Sequence, residues 1–149
     1  MKNILLLTII ALFSITGLHS QEWYNDLDTA KEMAVTKDEP IILVFQGSDW
    51  CAPCIKLDRQ IWSTEEFRNY ARDHYIMLKA DFPRKSKNQL PNEQAKKNEA
   101  LAARYNKSGY FPFVVILDHQ GEVLGETGFK NMSPQDYINH INSFLPDAD

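Results

Sequence analysis

Cysteine is scarce in this sequence: there are two, Cys51 and Cys54, with two residues between them. A disulfide-stapled scaffold is therefore excluded, because a chain of 149 residues can bury its own core without covalent help. The pair needs a chemical explanation instead. Histidine is sparse too. His19, His74, His119 and His140 are scattered and none has finger-like spacing, so a zinc site at the cysteines would be short of ligands. No apolar run is long enough to cross a bilayer as a helix; Ile4 to Leu18 covers about 15 residues where roughly 20 are needed. There is no basic stripe. The formal charge is −4, which argues against nucleic acid and against anionic membrane surfaces as partners. No internal repeat and no linker are found, and the length suits one domain.

What is present starts with a leader pattern. Lys2, the uncharged run Ile4–Leu18, then His19-Ser20 and the polar Gln21-Glu22 have the layout of a secretory signal peptide over residues 1–20. Leu18 is larger than the residue usually found three back from the cut, so cleavage is expected within a few positions of Ser20. No cysteine lies there to take a lipid. Residues 21–149 would then be a single exported domain, one unit more negative than the whole chain, since only Lys2 is lost. Outside the cytosol disulfides form and persist, so a close cysteine pair there is either managed by partners or acts on them.

Helical spacing over 22–38 (Leu27, Ala30, Met33, Ala34), with Asn25 or Asp26 as cap, predicts a first helix. Ile41 to Phe45 is a short apolar, β-branched run, read as a strand buried on both faces. Gln46 to Asp49 is the loop leaving it, and a helix follows with Pro53 in its first turn. Ser63-Thr64-Glu65-Glu66 reads as a capping box that restarts a helix carrying Phe67, Tyr70 and Ala71. Tyr75 to Ala80 is a second strand, 82–92 a polar and basic surface loop, and 93–105 a further helix. Phe113 to Leu117, the turn Asp118–Gly121 and Glu122 to Glu126 form a hairpin. Ser133-Pro134-Gln135-Asp136 caps the last helix. The expected fold is α/β: one mixed sheet of about four strands with helices on both faces.

Placed between a buried strand and a helix start, Cys51 meets unpaired backbone N–H groups and the positive end of the helix dipole. A thiol there can ionise at a pKa of about 3.5–7.5 instead of about 8.5. Cys51 is the expected attacking thiol and Cys54, one turn on, the resolving one. A purely structural bridge would close too small a loop to stabilise much. Pro112 opens a strand, where either an ordinary trans proline or a cis bond facing the cysteines would fit.

Trp50-Cys51-Ala52-Pro53-Cys54, Tyr110-Phe111-Pro112 and the closing strand–strand–helix together resemble the thioredoxin superfamily. The stretches Phe45–Cys54, Ala80–Lys85, Leu117-Asp118 and Gly128-Phe129 resemble its exported bacterial members. The resemblance spans residues 22–146. It implies the thioredoxin fold, Cys51 as attacker, Cys54 as resolver and Pro112 as a cis proline. It also implies Trp50 as a shield and docking residue and Gly128 at the rim of the site. There are departures. The family's buried aspartate, six residues before the first cysteine, is Phe45 here, and Asp49, Lys56 or Lys79 are the candidates to replace it as proton acceptor. Tyr110 stands where a glycine is expected and Phe113 where a threonine is, which suggests an aromatic cluster of Trp50, Tyr110 and Phe111 around the sulfurs. Extra length falls in residues 82–95.

The function expected is thiol–disulfide exchange without a cofactor, acting on cysteine-containing client proteins and fed by an upstream dithiol donor. Ala52-Pro53 is closer to the Gly-Pro of reducing members than to a histidine-bearing oxidant pair, so the direction expected is reduction. A monomer is expected. The alternative is a binding module of the same fold, docking proteins or holding copper(I) on soft thiolates. Against copper, the candidate methionines Met77 and Met132 do not adjoin the pair.

Overall fold

The computed structural model describes residues 21–146, so the signal-peptide expectation for residues 1–20 lies outside the described residues. The elements are β1 (Trp23–Tyr24), α1 (Leu27–Lys37), β2 (Ile41–Gln46), α2 (Ala52–Leu57), α3 (Glu65–Arg72), β3 (Ile76–Asp81), α4 (Asn92–Tyr105), β4 (Phe113–Leu117), β5 (Val123–Thr127) and α5 (Pro134–Asn142). They build one sheet in the order β1-β3-β2-β4-β5. β1 and β2 both run parallel to β3, while β4 is antiparallel to β2 and β5 to β4. This is the thioredoxin fold.

The sheet has five strands, where about four are expected. The addition is β1, which the sequence places inside the first helix. Asp26 marks the true start of α1: its side chain accepts the Thr29 N–H at 3.0 Å. Trp23 and Tyr24 are thereby freed to add an edge to β3, Trp23 opposite Met77. The Trp23 ring meets Trp62 edge-on at 6.2 Å, which gives so short a strand an apolar anchor.

Side chains alternate across β2 as a strand requires. Ile41, Leu43 and Phe45 face α1 and α4, where Ala30 and Ala34 let the helix sit close to the sheet. Ile42 and Val44 face α3 and α5, against Leu57, Ile61 and Tyr137. All of these are buried, so β2 is the two-sided strand its composition indicates.

The helix that starts at the cysteines does not run evenly. At Asp58–Trp62 it widens into a π-turn, closed by Ser63 N–H to Asp58 O at 2.8 Å. The extra residue swings Trp62 into the core, with ring centroids 4.8 Å from Phe67 and 5.3 Å from Tyr137. Helix α3 then restarts on Thr64 and not on Ser63. Thr64 Oγ1 accepts the Phe67 N–H at 3.3 Å, while the Ser63 hydroxyl is drawn back to the Asp58 carboxylate at 3.1 Å. The hairpin turn closes as expected, with Gly121 at φ +87°, a conformation that favours glycine. Ser133 caps α5 by accepting the Asp136 N–H at 3.1 Å. Among the described residues no helix is long and apolar enough to cross a membrane.

Candidate functional site

β2 and α2 set the two cysteines just past the C-terminal end of the sheet's central strand. Gly47 O accepts the Cys51 N–H at 2.9 Å, which turns the chain from strand into helix. Cys51 is the cap residue of α2, in extended conformation, and Pro53 stands in the first turn, where a missing N–H costs nothing. Cys51 and Cys54 are joined as a disulfide, with 5.2 Å between their Cα atoms. The Cys54 N–H points at Cys51 Sγ, 3.3 Å away. A thiolate on Cys51 after reduction would meet that same N–H and the start of the helix. Both cysteines are 4% exposed, so exposure does not distinguish them; their places on α2 do, Cys51 as the cap and Cys54 inside the first turn.

Trp50 lies across the loop before the disulfide. Its Nε1–H donates to Phe82 O at 2.7 Å and its ring meets Phe111 edge-on at 5.4 Å. Gly47 makes this possible, because a Cβ there would collide with the indole. Phe111 also packs on Phe82 at 5.5 Å. The Phe111–Pro112 bond is cis. The β2–β4 ladder begins only at Phe113, opposite Phe45, so Phe111 stands outside it. Among the described residues no hydrogen bond engages the Phe111 backbone. Gly128 runs beside Pro112: a Cβ on it would come 3.3 Å from Pro112 O. Tyr137 fixes that strip by donating to Gly128 O at 2.8 Å, and burial of its ring raises its ionisation well above the usual range.

The structure sets Trp50, next to the disulfide, against Phe111 of the cis bond, and Gly128 against Pro112. Tyr110 stands apart. It is 65% exposed, its backbone is clamped on both sides by the Asn106 side chain, and its ring pairs with Phe113 at 6.4 Å. The third ring beside Trp50 and Phe111 is Phe82, contributed by the loop after β3.

The three candidates for a proton acceptor are otherwise engaged. The Asp49 carboxylate accepts the Arg84 and Lys85 N–H groups and Asn88 Nδ2–H, each at 2.9 Å, and these bonds hold its pKa down at about 2. Lys56 Nζ lies over the Phe129 ring at 5.2 Å, and Lys79 Nζ over Trp23 at 5.4 Å. Lys79 does line a cleft of about 390 Å³ that reaches Cys54, together with Gln46, Ser48, Asp58 and Arg59. Asp58 is the carboxylate on that cleft, one helical turn past Cys54. Its i+4 spacing from Cys54 is the signal by which the sequence could have revealed it.

Asp49 is instead a clamp on the loop 82–92. Asp81 adds to it by accepting the Ser48 N–H at 2.9 Å and the Ser48 hydroxyl at 2.6 Å. Asp49→Ala is expected to raise hydrogen exchange at the Arg84 and Lys85 amides by about tenfold or more while the sheet amides keep their protection. The sign of the pH dependence follows from the lowered pKa. The clamp is fully present above the unfolded-state value of 3.8 and is lost as the pH falls through about 2.

A thioredoxin-like family model matches residues 22–119. The disulfide bond reductase DsbH of Chlamydia pneumoniae is 40% identical over 116 residues, which cover 78% of this chain and 68% of that protein. A solved structure of a DsbH oxidoreductase superposes with a TM-score of 0.78 at 37% identity, covering 85% of both chains. A thioredoxin from Thermus thermophilus superposes at 0.61 with 16% identity, covering 84% of this chain and 87% of its own, a likeness of fold alone.

Proposed function

The chain belongs to the thioredoxin-like family and is a thiol–disulfide oxidoreductase, and from that premise we propose that it works outside the cytosol as a reductant of protein disulfides. The observation that carries the reading is the Cys51–Cys54 disulfide at the start of α2, preceded by Trp50, whose ring meets Phe111 of the cis Phe111–Pro112 bond. Three things support the direction. The relative DsbH is named a disulfide bond reductase. The intervening residues are Ala52-Pro53, and neither is a histidine that would favour the thiolate and make the disulfide more oxidising. The leader pattern of residues 1–20 supports export, and the periplasm is the compartment proposed.

In the working cycle the Cys51 thiolate attacks one sulfur of a client disulfide. A bond forms from Cys51 Sγ to that sulfur, and the other client sulfur leaves as a thiolate. Cys54 then loses its proton toward the cleft, where Asp58 is the carboxylate at hand. Its thiolate attacks Cys51 Sγ, closes the Cys51–Cys54 disulfide and releases the second client thiol. Two electrons have passed to the client, and a dithiol donor restores the pair. The free backbone of Phe111 is placed to pair with an extended client segment, with Trp50 and Gly128 on its flanks.

Insulin reduction by the protein with a dithiol donor, compared with Cys51→Ser, tests the activity. Background-level turnover in both would sink it and would favour the docking or copper(I) alternative. The reduction potential tests the direction. A value of about −270 to −200 mV, as in reducing family members, is expected, and one near about −120 mV, as in strong oxidants, would overturn the proposal.

A further inference from the structure

The loop 82–92 carries three bases, Arg84, Lys85 and Lys87, and no acid, in a chain whose formal charge is −4. A connector so composed could simply wave in solvent. This one is pinned to the site at three places: Asp49 holds its backbone at Arg84 and Lys85, Trp50 Nε1–H holds Phe82 O, and Phe82 packs on Phe111. The Arg84 guanidinium lies over the Trp50 ring with Cζ 3.7 Å from its centroid. Trp50 precedes Cys51, so this cation stacks on the residue next to the disulfide.

We propose that Arg84, Lys85 and Lys87 form a basic docking rim that selects clients with acidic residues flanking their cysteines. The proposal rests on the thiol–disulfide exchange reading and names its substrate class. All three side chains are exposed. Among the described residues the ion pairs of arginine and lysine involve Arg72, Lys97 and Arg104, and none involves these three. Two carboxylates lie in the neighbourhood, and both are taken by other donors: Asp49 by the N–H groups of Arg84 and Lys85 and by Asn88 Nδ2–H, Asp81 by the N–H groups of Ser48 and Phe82 and by the Ser48 hydroxyl. The ring of Trp50 covers one face of the guanidinium and leaves its N–H edge for a carboxylate, which a planar fork can bind with two bonds. Screening limits such charges to about 8 Å at physiological salt, so they read residues close to the client cysteine and not the client's overall charge. Three cations are too few to hold nucleic acid, which leaves an acidic peptide segment as the occupant.

The test uses two disulfide-linked peptides that are identical except for acidic or basic residues beside the cysteines. The reduced protein acts on each at low salt and at high salt. Every rate is divided by the same protein's rate on hydroxyethyl disulfide, a neutral small disulfide. At low salt the acidic peptide is expected to react about tenfold faster than the basic one. The preference is expected to shrink to about twofold in high salt, in Arg84→Gln, and in the double variant Lys85→Glu/Lys87→Glu. A wild-type preference below about twofold at low salt overturns the proposal without any variant. A preference that survives both variants overturns the assignment to this loop. Failure to reduce either peptide or hydroxyethyl disulfide is a different result, because it overturns the thiol–disulfide reading itself.

Discussion

Serine at position 51 is expected to lower disulfide reduction by more than about 10³-fold, while serine at position 54 is expected to trap the client instead. The asymmetry comes from place, not exposure, since both cysteines are 4% exposed. Cys51 caps α2 and receives the Cys54 N–H at 3.3 Å, the geometry that favours a thiolate. Cys54 stands one turn further along and opens onto the cleft lined by Gln46, Asp58 and Lys79. With Cys51 gone, no thiolate is presented to a client. With Cys54 gone, the first attack proceeds and its mixed disulfide has no resolving thiol. Incubating reduced Cys54→Ser with an oxidised client, blocking free thiols and running a non-reducing gel should show a covalent adduct, and mass spectrometry should place it on Cys51. An adduct formed by Cys51→Ser through Cys54 would exchange the two roles.

The centre of this site was legible from the sequence because its signals are local. A five-residue apolar run, a cysteine pair and a proline three residues into the motif fall within one short window, and each has a single easy structural reading. Ser133-Pro134 and Asp118–Gly121 were legible for the same reason. Features that depend on distant partners were not. Asp49 looks like a solvated acid or a proton acceptor until the fold brings Arg84, Lys85 and Asn88 against it. The strand Trp23–Tyr24 is too short to show a period of two and exists only because Met77 and Trp62 lie beside it. Thr64 wins the cap from Ser63 because a π-turn, invisible to a 3.6-residue pattern, shifts the frame and gives Ser63 a partner in Asp58. Tyr110 adjoins Phe111 in sequence, yet Asn106 clamps its backbone and its ring pairs with Phe113.

The departure at Phe45 leads to the second large effect. Restoring the family's acid with Phe45→Asp is expected to destabilise the protein by more than about 4 kcal/mol, a large part of an ordinary domain's 5–15 kcal/mol. Phe45 is fully buried, opposite Ala80 on β3 and Phe113 on β4, with the Phe113 ring 6.3 Å away. Removing the ring leaves a cavity, and the carboxylate put in its place has no cation among these neighbours. Its pKa would be raised by burial, so the sign of the pH dependence is opposite to that of Asp49. The variant is expected to be most stable below the unfolded aspartate value of about 3.9 and to lose stability as the pH rises from there toward the folded-state value. Urea unfolding of both proteins between acid and neutral pH measures this. A wild-type midpoint at neutral pH would show that the β2 face can hold a charge after all. The alternation of the strand explains why it does not. Phe45 lies on the α1 and α4 side with Leu43, while Gln46 turns to the opposite face and lines the cleft with Cys54. The polar lining beside Cys54 therefore comes from Gln46, Asp58 and Lys79, and an acid at position 45 would sit on the dry side of the sheet.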